Sequence, residues 1–366
     1  MSVGVSSLLP VYPRAGVTFV EGEGAWLTDS EGRRYLDFAA GLAVVGLGHR
    51  HPAVTAAAHA QLDRLWHASN LYNTEPGEQL AAALAERWPG AQAFFCNSGT
   101  EANEAALKYA RKATGKTKVV ALEGGFHGRT LGALSVTGQP AKRAPFAPLL
   151  DDVVFVEAGD TSEFEDAGLI LIEPIQGEGG VHPVEAEFIR AAAAADALLC
   201  LDEIQTGMGR TGSFFAFEQL GVEPDLVTLA KGLANGLPIG ALLVSEQAAG
   251  AFSVGDHGST FGGNPVTCAA ATAVCAELTD ELLASVRALG EKLLAAGLPH
   301  VVEARGRGLL IGYELDIEAQ PVVDAALERG LVALTAGRNV LRLAPPLIVT
   351  EQQVDDALAI LAEVLS

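Results

Sequence analysis

Positive charge is scarce in this chain. Its 366 residues hold 24 lysines and arginines against 45 aspartates and glutamates, a net charge of −21. A phosphate backbone needs a basic surface, so the balance argues against a nucleic-acid partner. Cysteine is also scarce. Cys96, Cys200, Cys268 and Cys275 form no CxxC pair, which speaks against a disulfide framework or a zinc site. Two of them fall inside apolar runs and read as small core residues. The histidines show no ligand spacing for a metal. No long apolar run is present. The most apolar stretch, 188–201, is broken by Arg190 and Asp196, so no membrane-spanning helix fits. The start, Met1-Ser2-Val3-Gly4-Val5-Ser6-Ser7, has neither a basic region nor a signal-like apolar core. The expectation is a soluble cytoplasmic protein.

What the chain does have is a large apolar content, 49% of residues, enough to bury a sizeable core in about two domains. Residues 17–38 read as β-hairpins around Gly22, Gly24 and the turn Asp29-Ser30-Glu31-Gly32. Apolar spacing then predicts helices over 53–66 and 77–88. An alternation follows: strand 93–96, helix 99–113, strands 118–122, 153–156 and 169–172, helix 188–195, and strands 198–201, 226–229 and 240–244. Strands alternating with helices imply an α/β fold, a mostly parallel sheet with helices on both faces. After Asn264-Pro265 comes a long alanine-rich helical stretch over 266–278, with more helix to about 294. Strands at 308–315 and 340–343 and helices at 322–329 and 351–365 complete a separate α+β unit.

Three of the strands end on an ionisable residue. Leu169-Ile170-Leu171-Ile172 delivers Glu173, Leu198-Leu199-Cys200-Leu201 delivers Asp202, and Leu226-Val227-Thr228-Leu229 leads through Ala230 to Lys231. The spacing is 29 residues from Glu173 to Asp202 and 29 again to Lys231. In open α/β sheets ligands bind at the carboxyl ends of the strands. An ammonium at the end of an apolar strand is poorly solvated, a place that suits an amine used chemically. A carboxylate at a buried strand end needs a partner: capping of the next turn, or the proton of a heterocycle. The segment Cys96-Asn97-Ser98-Gly99-Thr100-Glu101 follows a strand and opens a helix. It reads as an anion site built on free N–H groups, or as a plain N-cap. A lysine, an aspartate and a phosphate site on neighbouring strand ends match pyridoxal 5′-phosphate (PLP), whose aldehyde needs a lysine and whose ring nitrogen needs a carboxylate. Arg129, in Gly124-Gly125-Phe126-His127-Gly128-Arg129, and Arg342, just before Pro345-Pro346, both suit bidentate carboxylate binding.

Two motifs are decoys. Gly207-Met208-Gly209-Arg210-Thr211-Gly212 fits GxGxxG, but it does not directly follow its strand and opens no helix. Gly115-Lys116-Thr117 fails as a P-loop because position 110 is alanine.

Taken together, the chain resembles the class-III PLP-dependent aminotransferases, most closely the acetylornithine aminotransferases. The resemblance spans nearly the full length. It is carried by Tyr35-Leu36-Asp37-Phe38, Gly48-His49-Arg50-His51-Pro52, 97–104, 126–129, Glu173-Pro174-Ile175-Gln176-Gly177-Glu178, 201–207, 229–240, 257–265 and 342–346. It implies a fold type I transferase with an N-terminal segment (1–45) packed on the small domain, a large PLP-binding domain (46–262) and a C-terminal small domain (263–366). It implies that Lys231 carries the cofactor and shuttles the proton, and that Asp202 keeps the ring nitrogen protonated. Gln205 would bond the ring hydroxyl, Phe126 and Ile204 would sandwich the ring, and Ser98, Gly99 and Thr100 would hold the phosphate. Thr260 would complete the phosphate pocket of a neighbouring subunit and Ser259 would touch substrate there, making a homodimer the functional unit. Arg129 would bind the α-carboxylate of acetylornithine and the distal carboxylate of 2-oxoglutarate. Arg342 would bind the α-carboxylate of 2-oxoglutarate and pair with Glu178 while the amine donor is bound. The implied reaction moves the terminal amine of N2-acetyl-L-ornithine to 2-oxoglutarate, a step of arginine biosynthesis. Succinylornithine, ornithine, 4-aminobutyrate or a modified lysine are alternative donors, and a PLP mutase or decarboxylase is an alternative reaction. Residues around 70–73 would bear on the acyl preference, with Tyr12 as a further substrate contact.

Overall fold

The computed structural model describes residues 7–366. The expectation about the first residues as a non-signal segment therefore rests on positions mostly outside the described ones. At the centre lies a seven-stranded sheet: β1 (Gln92–Cys96), β2 (Val119–Leu122), β3 (Val153–Val156), β4 (Leu169–Ile172), β5 (Leu198–Asp202), β6 (Leu226–Leu229) and β7 (Gly240–Val244). Their order across the sheet is β1-β7-β6-β5-β4-β2-β3. Strand β7 runs antiparallel to both its neighbours, and the remaining pairs are parallel. Every residue of β2, β4, β6 and β7 is buried, which is why these strands read as continuous apolar runs rather than alternations.

Register turns the sequence spacing into a site. Leu201 pairs with Ile172, and Asp202 pairs with Thr228. Strands β4, β5 and β6 are adjacent and parallel, so Glu173, Asp202 and Lys231 emerge at one edge. The helix Gly99–Thr114 follows β1 and packs beneath the same sheet, its N-terminus at that edge.

Two smaller sheets flank this layer. The hairpin strands Phe19–Glu23, Trp26–Asp29 and Arg34–Asp37 gain a fourth, parallel partner in Leu331–Val332. Strands Val301–Arg307, Leu310–Leu315, Val340–Leu343 and Leu334–Thr335 form an antiparallel sheet. Helices Asp280–Leu294, Ala319–Glu328 and Glu351–Val364 belong to the same C-terminal region.

The helical stretch expected over 266–278, with more helix to about 294, is two helices. Pro265–Glu277 ends where Leu278 leaves helical geometry, and Thr279 then caps Asp280–Leu294 by accepting from Leu282 N. The first of the pair packs on helices Pro52–Leu62 and Glu75–Arg87. The segment after Asp202 runs as turns up to the short 3₁₀ helix Ala216–Gln219, so the GxGxxG stretch opens no α-helix. Its Arg210 is buried and donates to the carbonyls of Leu309 and Pro345, joining the turn to the C-terminal region.

Gly240 shows how closely β7 underlies the site. A Cβ there would fall 2.3 Å from the Ser98 carbonyl oxygen. Backbone cannot yield as a side chain can, so Gly240→Ala is expected to cost about 1–3 kcal/mol of stability. Urea denaturation measures it, and an unchanged midpoint would contradict the packing.

Candidate functional site

A cavity of about 380 Å³ opens at the carboxyl edge of β4, β5 and β6. Asp202, Ile204, Gln205 and Lys231 line it, as do Ser98, Gly99 and Thr100 of the helix start. Phe126, Arg129 and Glu173 complete the wall from the neighbouring loops.

Lys231 opens a 3₁₀ turn with φ of +40°. A non-glycine residue there carries about 1–3 kcal/mol of backbone strain, of the kind that collects at functional sites. Among the described residues no hydrogen bond or ion pair engages its Nζ. Burial pushes the ammonium below its usual range. The Glu178, Glu173 and Asp202 charges pull the other way, while Arg342 adds to the depression. An amine so placed is deprotonated more readily, as a nucleophile or proton carrier requires.

Asp202 is 3% exposed. Its Oδ2 accepts from Asn103 Nδ2 at 2.8 Å and lies 2.7 Å from His127 Nδ1; its Oδ1 accepts from Ile204 N at 3.1 Å. Burial alone would lower His127, but the bond and charge of Asp202 outweigh it and raise its pKa. His127 carried no role in the sequence reading. The structure makes it a principal support of Asp202, together with Asn103, which also fixes the His127 carbonyl at 2.7 Å. Spacing could not reveal this, because 75 residues separate His127 from Asp202. The other overlooked histidine, His49, sits 2.7 Å from the buried Asp37.

At the helix start, Ser98 caps Glu101 N, and the N–H groups of Gly99 and Thr100 have no acceptor among the described residues. The structure supplies its own reason for Gly99. A Cβ would come within 2.6 Å of the Ile204 side chain, so the absent side chain admits Ile204 to the wall. Gly128 likewise makes room for Thr100, whose hydroxyl lies 2.9 Å from Thr130 Oγ1. Phe126 N donates to Glu173 Oε2 at 2.8 Å, tying Phe126 to the β4 end. Burial pushes the Glu173 carboxyl up to about 7, against the pull of His127 and with the help of Asp202.

Arg342 is 2% exposed. One nitrogen donates to Glu178 Oε1 at 2.5 Å and to the Gly177 carbonyl at 2.9 Å, and lies 3.4 Å from Gln205 Oε1. Burial alone would raise Glu178, but Arg342, with Lys231 and Lys142, holds it below its usual range. Arg342 and Glu178 thus form an ion pair. Ser259 and Thr260 stand apart from this chain's cavity. Ser259 Oγ accepts from Asn97 Nδ2 and Gly262 N, and Thr260 is exposed. Asn70 donates to the Ser259 and Gly262 carbonyls, and Tyr12 is exposed.

A family model for class-III aminotransferases matches residues 11–365. The chain belongs to that family. It is 50% identical to acetylornithine aminotransferase of Mycolicibacterium smegmatis, over 97% of this chain and 95% of that protein. It is also similar to N-acetylornithine aminotransferase from Stenotrophomonas maltophilia, with 36% identity, a TM-score of 0.82, and 97% and 96% of the two chains covered. The ornithine aminotransferase from Toxoplasma gondii gives a TM-score of 0.92 at 31% identity, over 98% of this chain and 92% of that one, in a structure described as having partial occupancy of PLP at the active site. This member of the class-III aminotransferases is accordingly a PLP-dependent transaminase of fold type I, acting on an amine donor and a keto acid. The cavity fits that cofactor: two free N–H groups and hydroxyls for a phosphate, an apolar wall on each side, a buried carboxylate, and a lysine without a partner.

Beside Asp202, Glu203 is buried and accepts from Ala216 N and Phe217 N, yet burial pushes its carboxyl up to about 8 from an ordinary 4.5. The folded chain therefore holds more protons than the unfolded one between those values. Its contribution to stability falls as pH rises through that window and is level outside it. Glu203→Gln is expected to remove this slope. The stability difference, variant minus parent, should become more favourable from pH 5 to pH 8 in denaturant titrations. A difference independent of pH would contradict the assignment.

Proposed function

We propose that the chain is an acetylornithine aminotransferase. It moves the terminal amine of N2-acetyl-L-ornithine to 2-oxoglutarate, giving N-acetylglutamate 5-semialdehyde and glutamate in arginine biosynthesis. The observation that carries this reading is one cavity lined by a partnerless lysine, an anchored aspartate and Arg129, with a second arginine, Arg342, behind the lining residue Gln205 and masked by Glu178.

When bound, the cofactor supplies an electron sink that lets the carbon bearing the amine lose a proton. The remaining work falls to the chain. Lys231 holds the cofactor covalently between turnovers and accepts and returns the proton. Its depressed pKa keeps enough neutral amine for that task. Asp202 would stabilise the protonated ring nitrogen, and its bonds to His127, Asn103 and Ile204 N keep it oriented. The N–H groups of Gly99 and Thr100, with the Ser98 and Thr100 hydroxyls, hold the phosphate at a helix N-terminus. Phe126 and Ile204 exclude water from the two ring faces, and Gln205 orients the ring hydroxyl.

Substrate alternation rests on Arg342 and Glu178. Acetylornithine carries one free carboxylate and 2-oxoglutarate carries two. With the donor bound, Glu178 neutralises Arg342. With the keto acid bound, the α-carboxylate takes the guanidinium and Glu178 swings aside. Arg129 receives the donor's α-carboxylate and the keto acid's distal one. Ornithine, as used by the Toxoplasma gondii relative, is the second reading for the donor, favoured by the near-identical backbone course.

The functional unit is a homodimer in which Ser259 and Thr260 serve the partner's cavity. The exposed Thr260 and the exposed neighbours Val254 and Phe261 support this. The division 1–45, 46–262 and 263–366 goes with it, the helix Pro265–Glu277 bridging the last two. Among the described residues no helix is long and apolar enough to cross a membrane, and the cytoplasm, where a biosynthetic transaminase meets its substrates, is the proposed location.

Borohydride reduction should fix the cofactor to Lys231, and Lys231→Ala should abolish the reduced adduct; full labelling of the variant would remove the lysine from this role. Arg342→Ala should slow the 2-oxoglutarate half-reaction by roughly a hundredfold, about 2–3 kcal/mol, and the donor half-reaction much less. Single-turnover rates of the two halves decide it, and equal losses would contradict the masking.

A further inference from the structure

Two cations beside the cavity form no ion pair with a carboxylate among the described residues, in a chain whose net charge is −21. Arg129 and Lys142 both stand against Phe126, with the guanidinium carbon 5.5 Å and the ammonium nitrogen 5.0 Å from the ring centroid. Neither forms an ion pair among the described residues. Lys142 bonds only the neutral side-chain amide of Gln139.

This placement is built, not incidental. Gln139 also donates to the Gly124 carbonyl at 2.9 Å, and Gly124 N and Gly138 N bond across to Gly138 O and Gly125 O. A Cβ on Gly138 would fall 2.0 Å from the Leu122 carbonyl, so the close approach of the two segments requires glycine. The segment carrying Lys142 is thereby fastened to the loop carrying Phe126 and Arg129. Lys142 is half-buried, and its charged neighbours are all site residues: Glu178, Arg129, Arg342 and Glu173. Glu178 is already bound by Arg342, and Glu173 is buried with its own bond to Phe126 N. The positive charge of Arg129 and Lys142 is left for an incoming anion.

We propose that Lys142 determines specificity, forming with Arg129 a two-cation clamp beside Phe126. The clamp takes the α-carboxylate of the amine donor and, in the second half-reaction, the distal carboxylate of the keto acid. This rests on the reading of the cavity given above. Two cations held near each other repel, and one carboxylate between them relieves that repulsion while gaining two charge-assisted contacts. The clamp favours donors with a carboxylate over amines of the same length without one.

The test uses the holoenzyme with Lys142→Met and Lys142→Arg. Binding of glutarate, a dicarboxylate with no reactive carbonyl, is measured by calorimetry at several salt concentrations. Turnover is measured with N-acetylornithine and with N-acetylputrescine, the same skeleton without the carboxylate. Lys142→Met should weaken glutarate about tenfold and flatten its salt dependence. It should lower kcat/KM for N-acetylornithine by a similar factor, leave N-acetylputrescine unchanged, and be rescued by Lys142→Arg. Unaltered glutarate binding in an active Lys142→Met enzyme overturns the clamp and leaves the transaminase reading standing, as does an equal loss with both amines. Tenfold weaker glutarate in the variant of a protein that does not transaminate either amine upholds the clamp and overturns that reading.

Discussion

The Asp202 carboxylate sits where water does not reach, at the end of a strand buried on both faces. Three groups converge on it and hold it in place: Asn103 Nδ2, His127 Nδ1 and Ile204 N. Each comes from a different part of the chain: the helix after β1, the loop after β2, and the turn after β5 itself. Orienting that one carboxylate therefore requires β1, β2 and β5 to be in place together. The same elements deliver the helix N-terminus, Phe126 and Ile204 to the cavity. Folding the sheet and assembling the cofactor site are one event.

A second constraint links this centre to the C-terminal strands. Arg342 reaches in from Val340–Leu343 to the Gly177 carbonyl, Glu178 and Gln205. A Cβ on Gly177 would come 1.7 Å from Gln205 Oε1, so a side chain there would push Gln205 out of its place. Arg210, buried in the turn beyond Gln205, donates to the Leu309 and Pro345 carbonyls at one end of the paired strands Leu310–Leu315 and Val340–Leu343. The glycine-rich stretch that imitates a dinucleotide motif thus fastens the C-terminal strands to the cofactor edge. The proposed substrate alternation would use this rigidity, with Glu178 moving against an arginine held in place.

The residues that sit at strand ends were readable from the sequence, because β4, β5 and β6 are short apolar runs that announce their own termini. Parallel register then carried Glu173, Asp202 and Lys231 together without further information. The roles of His127 and Asn103 were not readable. They depend on a loop folding over a strand 75 residues later, and neither position has a local pattern to mark it. The strand Leu331–Val332 is two residues long and exists through its pairing with Leu36 and Asp37, so periodicity had nothing to register. Strand Val301–Arg307 was missed because half-exposed and exposed residues dominate it. The break between the two helices at 278–279 falls where the expected alanine-rich stretch ends, and Thr279-Asp280-Glu281 marks the second start with a helix-start pattern. Lys142 looked like any surface lysine until Phe126 and Arg129 were placed beside it.

The central claim is that the supported Asp202 keeps the cofactor's ring nitrogen protonated, and the nitrogen itself can report on it. Reconstituting the enzyme with cofactor labelled with ¹⁵N in the ring and recording its chemical shift gives the protonation state directly. The account predicts a protonated nitrogen in the parent enzyme near neutral pH and an unprotonated one in Asp202→Asn. An unprotonated nitrogen in the parent, or a shift unchanged by the substitution, would contradict it.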